Sequence, residues 1–329
     1  MKAACYEQFG AAEDVIHIQD IALGPPAPGE VQVRIHASGV NPSDVKKRAG
    51  ARGAMSDPRI IPHSDGAGVV MALGDGVDPA LDGQRVWLCE AQHGRASGTA
   101  AEQINLPAGL VHPLPAGTTF VEGAAIPIPM MTAHRCLTSS QPIEGRTVLV
   151  TGAMGRVGRY ALQMARILGA RVIATAGSDA DCAAANRLGA QHTANFRAPD
   201  YAQQLRDAAG SEGIALVVDV EFGHNHPDYL DLLQDNAVIA SYASGLQPRP
   251  EIDFYALMFR NVFLHPILVY SMPQAAKHAA KQAINDMLER RLINHHIGHT
   301  VPLDDTARAH QLVESGARGA VIVEMPATT

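Results

Sequence analysis

The chain has 329 residues, 26 Lys and Arg against 33 Asp and Glu, a net charge of -7 and a hydrophobic fraction of 47%. That length exceeds one ordinary core and calls for two domains, and the acidic balance with scattered Lys and Arg argues against a nucleic-acid surface. No apolar run reaches the roughly 18 residues of a membrane span, and MKAACYEQFGAAEDV contains no apolar signal core, so a cytoplasmic protein is expected.

From the amino terminus, MKAACYEQ, EVQVRIHASGV, AGVVMALG and QRVWLCE alternate or run apolar. They are cut by LGPPAPGE and GDGVDPALDG, the pattern of short strands and turns in a β-rich segment. From about residue 121 the pattern changes, and VEGAAIPIPMMTAHRCLTSS reads as one helix with prolines in its first turns. TVLVTG, RVIATAG, HTANF, ALVVDV and AVIASYA then recur as short apolar strands between helical stretches. Such a series predicts an α/β fold with a doubly wound parallel sheet and a ligand crevice at the carboxyl ends of its strands. NVFLHPILVYS reads as a further strand, LDDTARAHQLVESG as a capped helix and AVIVEMP as the last strand.

Cys5, Cys89, Cys136 and Cys182 lie far apart with no metal or redox spacing, which predicts four reduced thiols, Cys136 among them as a buried apolar side chain. NHHIGH reads as a strand, in which His295 and His299 give no two-ligand helical face. His224 and His226 fall in a loop, and both pairs are read as structural or solvated.

The central motif is VLVTGAMGRVG, in which Gly152, Gly155 and Gly158 stand where a strand feeds a helix. Amides at a helix amino terminus lack intrahelical partners and favour an anion, so the loop fits a dinucleotide pyrophosphate, with Gly155 and Gly158 permitting close approach. The alternative is a bare packing turn, since the spacing is G-x-x-G-x-x-G and not the commoner G-x-G-x-x-G. An Asp or Glu about 20 residues on would grip the ribose hydroxyls of NAD. Here Ala176, Gly177 and Ser178 occupy those places, so a 2′-phosphate is admitted and Ser178 is its candidate donor. NADPH is therefore expected, with NADH open because Asp179 and Asp181 follow.

ASGVNPSDVKKRAG, PHSDGAGVVMALG, GAAIPIPMMTAHRCL, the glycine-loop unit and ARAHQLVESGARGAVIVE together resemble the zeta-crystallin-like quinone oxidoreductases of the medium-chain dehydrogenase/reductase superfamily. The resemblance covers nearly the whole chain. It implies a GroES-like catalytic domain over residues 1–122, a Rossmann domain over 123–265, and over 266–329 a dimer strand and a return to the first domain. A homodimer is implied with it.

Zinc-dependent relatives need a Cys and a His where this chain has Asn41 and Ser64, so no zinc and no other metal are expected. By the same resemblance Asn41 and Thr132 flank the nicotinamide, and Gly152, Met154, Gly155, Arg156, Val157 and Gly158 hold the phosphates. Gly177, Ser178, Phe196 and Arg197 surround the 2′ position, although Asp181 stands in the place of a lysine and Phe196 in that of a donor. Tyr242 and Ser244 border the crevice, and Ile267, Leu268 and Val269 approach the cofactor from the dimer strand. Lys46, Arg48 and His63 are substrate-side candidates, with Lys46 a catalytic donor beside Asn41 and Thr132.

The expected chemistry is hydride transfer from NADPH to a quinone, in which donors oppose the charge developing on the acceptor oxygen. An enone or acrylate-type carbon–carbon double-bond reductase is the alternative, and a non-catalytic crystallin-like or RNA-binding protein the reading from another class. Loops such as RAGARGAMSDPRI and AQHGRASG leave the acceptor open.

Overall fold

EVQVRIHASGV forms a strand because its alternate side chains, Val31, Val33, Ile35 and Ala37, are buried while Gln32, Arg34 and His36 between them stand half-exposed. In the computed structural model, which describes residues 1–51, 53–139 and 141–326, this strand is the third of the chain. The order begins β1 (Lys2–Cys5), α1 (Ala12–Val15), β2 (His17–Asp20), β3 (Glu30–Val40), α2 (Pro42–Arg48) and β4 (Asp65–Leu73). It continues with β5 (Arg85–Leu88), β6 (Gln103–Pro107), β7 (Val111–Pro113), α3 (Phe120–Ala125) and α4 (Pro127–Thr138). Next come β8 (Thr147–Val150), α5 (Arg156–Ile167), β9 (Arg171–Ala176), α6 (Asp179–Leu188), β10 (His192–Asn195) and α7 (Tyr201–Ala209). The alternation goes on with β11 (Ile214–Asp219), α8 (Phe222–Tyr229), β12 (Leu233–Ser241), α9 (Phe254–Phe259) and β13 (Phe263–Pro266). The chain closes with α10 (Gln274–Glu289), β14 (Ile297–Pro302), α11 (Thr306–Glu314) and β15 (Ala320–Glu324).

The chain divides into two compact units, Met1–Ile128 with the segment from Lys281 onward, and Pro129–Ala280. The first carries a sheet in the order β14-β15-β3-β4-β5-β7, with β6 also paired to β3. Its carboxy-terminal strand is stitched antiparallel to β3, Val321 opposite Val40 and Glu324 opposite Ala37. The second unit carries a parallel sheet in the order β10-β9-β8-β11-β12-β13. The strand order reverses between β8 and β11, the switch point at which open α/β sheets bind ligands. Leu149, Ile173, Val217 and Ile239 from four of these strands share one apolar cluster with Leu205 and Tyr229. Among the described residues no helix is long and apolar enough to cross a membrane.

Four local expectations are corrected. The single helix expected after residue 121 is two, α3 and α4, because Pro127 has no N–H to continue the first and begins the second. Ser140, at its expected end, and Arg52, in one of the acceptor loops, lie outside the described residues. His224 and His226 sit on α8 and not in a loop; Pro227 is accommodated because so short a helix loses only one backbone bond to it. β13 stops at Pro266, which cannot donate onward, so Ile267, Leu268 and Val269 lie beyond the strand's end. β14 begins at Ile297, leaving His295 ahead of it.

Candidate active site

The glycine turn joins β8 to α5 within the second unit. Gly152 takes the left-handed φ of +56°, and its amide donates to Thr175 Oγ1 at 3.1 Å. The next amide, of Ala153, donates to the Thr175 carbonyl at 2.9 Å, so the end of β9 holds the turn. A methyl group at Gly158 would lie 2.5 Å from the Gly152 oxygen and 2.9 Å from Ala153 Cα, whereas one at Gly155 would meet only the Gly152 oxygen, at 3.2 Å. The three glycines therefore do different work: Gly152 makes the turn, Gly155 leaves the helix N-cap open, and Gly158 lets α5 sit on the turn. Gly158 was expected to admit the ligand directly; its contacts are instead with the chain itself. The first turn of α5 has no acidic residue and begins with Arg156 and Val157. Its amides and dipole thus suit an anion at the switch point, and these residues fit a dinucleotide pyrophosphate.

Asp219, at the carboxyl end of β11, was not singled out from the sequence. It is fully buried. Its Oδ1 accepts from Thr151 Oγ1 (2.7 Å), the Glu221 amide (3.0 Å) and Asn225 Nδ2 (2.7 Å), and its Oδ2 from the Tyr229 hydroxyl (2.6 Å). Thr151 in turn accepts from the Val220 amide at 3.0 Å. This carboxylate ties β8 to β11 where the glycine turn begins. Burial and the neighbouring Asp219 charge push the Tyr229 phenol well above its usual range. The one signal in the sequence was an acid ending an apolar strand, in ALVVDV.

At the end of β9, Ser178 caps α6. Its Oγ accepts from the Asp181 amide at 3.2 Å and donates to Asp181 Oδ2 at 3.0 Å. Phe196 and Arg197 follow β10, with the Phe196 ring against Gly177 and the Arg197 guanidinium beside that ring, 5.8 Å from its centroid. Tyr242 follows β12, and its amide donates to the Asp219 carbonyl at 3.1 Å. The Ser244 hydroxyl accepts from the Gly223 amide and donates to the Gln247 carbonyl, so it serves its own loop. Ile267 and Val269 are buried and Leu268 is exposed. Thr132 is buried on α4.

In the first unit, Asn41 caps α2, and its amide nitrogen Nδ2 donates to Asp65 Oδ2 at 2.8 Å. The same carboxylate oxygen accepts from the Ile128 amide at 3.0 Å. Lys46 is exposed on α2. Arg48 and His63, expected on the substrate side, are instead enclosed, at 1% and 0% exposure. The Arg48 guanidinium pairs with Glu314 of α11 and donates to the Gly10 carbonyl.

His63 belongs to a buried chain of bonds whose direction the geometry fixes. Thr99 Oγ1 donates to the Asp65 carbonyl (2.6 Å), so it accepts from Ser38 Oγ (2.7 Å). Ser38 then accepts from His63 Nδ1 (2.8 Å), which leaves His63 Nε2 to accept from His310 Nε2 (2.9 Å). Burial lowers the His63 pKa to about 3 and that of His310 well below its usual value, so both rings are neutral. The chain ends on the backbone of the residue that holds Asn41. Among the described residues no three His, Cys, Asp or Glu side chains gather as a metal-binding group.

Two family models match the sequence: the alcohol dehydrogenase GroES-like domain over residues 27–116 and the zinc-binding dehydrogenase over residues 157–288. The chain is 30% identical to the quinone oxidoreductase of Homo sapiens, over 98% of this chain and 97% of that protein. It is 27% identical to a 2-haloacrylate reductase of a Burkholderia species, over 98% of each. Among solved structures, a mycobacterial protein in complex with NADPH matches with a TM-score of 0.84 and 26% identity, covering 98% of this chain and 100% of that one.

Proposed function

The chain belongs to the medium-chain dehydrogenase/reductase superfamily, among relatives of the quinone oxidoreductases, and on that premise we propose that it is a reductase of conjugated carbonyl acceptors, with a quinone as the favoured acceptor. The observation that carries the reading is the glycine turn at the switch point, with an acid-free helix amino terminus behind it. A reduced nicotinamide dinucleotide supplies the hydride when bound, NADPH being the form present in the mycobacterial neighbour. Gly152, Met154, Gly155, Arg156 and Val157 hold its phosphates, and Thr132, Tyr242, Ser244, Ile267, Leu268 and Val269 line its nicotinamide end. Gly158 acts by seating the helix.

When an acceptor carbonyl gains electrons, charge develops on its oxygen, and a fixed donor stabilises it. Asn41 is assigned that role, with Asp65 fixing the plane of its amide. Lys46, exposed on the same helix, adds a cationic donor. The proton that completes reduction comes from solvent, adequate for a hydroquinone or an enolate. The reading is metal-free: Asn41 and Ser64 offer an amide and a hydroxyl where a zinc site needs thiolate and imidazole. Arg48 and His63 are left out of the substrate contacts because both are enclosed. The likeness to a 2-haloacrylate reductase supports the second reading, reduction of an activated carbon–carbon double bond.

The same proposal includes a homodimer in the cytoplasm. β13 ends its sheet, and Phe254, Tyr255, Phe259 and Phe263 on or near that edge are more than half exposed. An apolar edge of this kind suits a second copy of the chain. Cys5, Cys89, Cys136 and Cys182 are all free thiols, as a reducing compartment keeps them.

The test is coenzyme oxidation followed at 340 nm, with NADPH and NADH separately, against ortho-quinones, para-quinones and small enones, before and after dialysis against a strong chelator. Quinone turnover that survives the chelator is expected. Turnover of enones alone moves the protein to the second reading. Loss of activity restored by zinc overturns the metal-free mechanism, and no turnover with any acceptor leaves a non-catalytic dinucleotide-binding or RNA-binding role.

A further inference from the structure

We infer that Asp181 selects the coenzyme and that it selects NADH over NADPH. The inference rests on the reading of the glycine turn as a dinucleotide site. In this topology the ribose 2′ position lies about 20 residues beyond the glycine turn, at the carboxyl end of the second strand. That place is the end of β9, at Ala176, Gly177 and Ser178.

Three observations there disfavour a phosphate. The Ser178 hydroxyl, a neutral side-chain donor at the strand end, has its hydrogen directed to Asp181 Oδ2 at 3.0 Å, and its lone pair receives the Asp181 amide at 3.2 Å. Turning that hydrogen toward a 2′-phosphate would leave the Asp181 carboxylate facing a second anion. Asp179, in the same turn of α6, is held by Asn195 Nδ2 of β10 at 2.8 Å, so a second negative charge is fixed nearby. Phe196 covers Gly177 so closely that a methyl group there would lie 2.9 Å from its ring, and the ring donates nothing.

Arg197 follows, exposed beside Phe196. A ribose 2′-hydroxyl meets none of this repulsion. It is a donor as well as an acceptor, and the Asp181 carboxylate offers it an oxygen to donate to. The first turn of α6 thus supplies, three residues late, the acid that the end of β9 lacks. Absence of a carboxylate at residues 176–178 led to the opposite expectation, because Asp181 reaches the strand end only through the Ser178 cap.

The test is equilibrium titration of the full chain with NADH and with NADPH, read by enhancement of nicotinamide fluorescence, for the wild type, Asp181→Asn and Asp181→Lys. The wild type is expected to bind NADH about tenfold or more tightly than NADPH, with the gap narrowing as salt is added. Asp181→Asn should shrink the ratio and Asp181→Lys should invert it, with NADH binding weakened and NADPH binding strengthened. Tighter binding of NADPH by the wild type, or a ratio that neither folded variant moves, overturns the assignment. Should a variant fail to fold, the wild-type ratio still decides. Binding of neither coenzyme removes the dinucleotide reading itself, an outcome distinct from binding with the opposite preference.

Discussion

Ser38, His63, Thr99 and His310 are buried polar residues, and their bonds run in one sense from His310 to the Asp65 carbonyl. Because a carbonyl accepts and cannot pass a proton on, the chain positions Asp65 and does not conduct. His63 holds a left-handed φ of +77°, a conformation costly for a residue with a side chain. The structure keeps it because the ring anchors α11 to the loop before β4. Ser38→Ala strands the His63 Nδ1 hydrogen in the interior, and a loss of about 2 kcal/mol is expected. Urea denaturation followed by circular dichroism checks it; an unchanged midpoint would show that the chain carries no stability. None of this was legible beforehand, since the four residues come from four separate stretches and only packing brings them together.

The β8–turn–α5 element was the most legible part of the site, because strand, glycines and apolar helix are contiguous and each follows from local rules. Which glycine does what was not legible. Gly158→Ala forces α5 off the Gly152 oxygen, an overpacking of about 1–3 kcal/mol, so the melting temperature should fall. Gly155→Ala meets a single atom at 3.2 Å and should leave melting nearly unchanged while weakening coenzyme binding at the N-cap. Thermal scans and coenzyme titrations of the two variants side by side separate these effects. Equal melting losses would mean that Gly155, too, is a packing residue. At the end of β9 the cap itself was not legible for a related reason: Asp181 reads as a helix residue, and its bond with Ser178 appears only in the fold.

Across the molecule, buried histidines contribute acid sensitivity. Burial lowers the pKa values of His36, His63, His134, His265, His295 and His310 below the ordinary 6.5. Between those lowered values and 6.5 the unfolded chain binds more protons than the folded one, so stability must rise with pH across that window and level off above it. Urea midpoints measured from about pH 4 to about pH 6.5 should climb steadily, and a flat profile would contradict neutral buried rings. Assembly is testable at the same scale. Leu264→Lys on the free edge of β13 is expected to turn a sedimenting dimer into a monomer, and a wild type that sediments as a monomer at tens of micromolar removes the dimer proposal.

The sequence by itself determined what depends on neighbours along the chain: the alternating strands of the first unit, the parallel strands and helices of the second, and the turn that feeds α5. Those follow from periodicity, glycine and proline, each read within a few residues. Tertiary structure alone decided which polar side chains the fold itself engages. Arg48 and His63 carry the same chemistry as substrate-binding groups, but Glu314 and His310, more than 240 residues away, engage them. Asp219 gained its role the same way, from a strand, a turn and a helix that meet only when the sheet is built. Burial and hydrogen-bond partners are properties of the assembled fold, and they assign a side chain's function as much as its chemistry does.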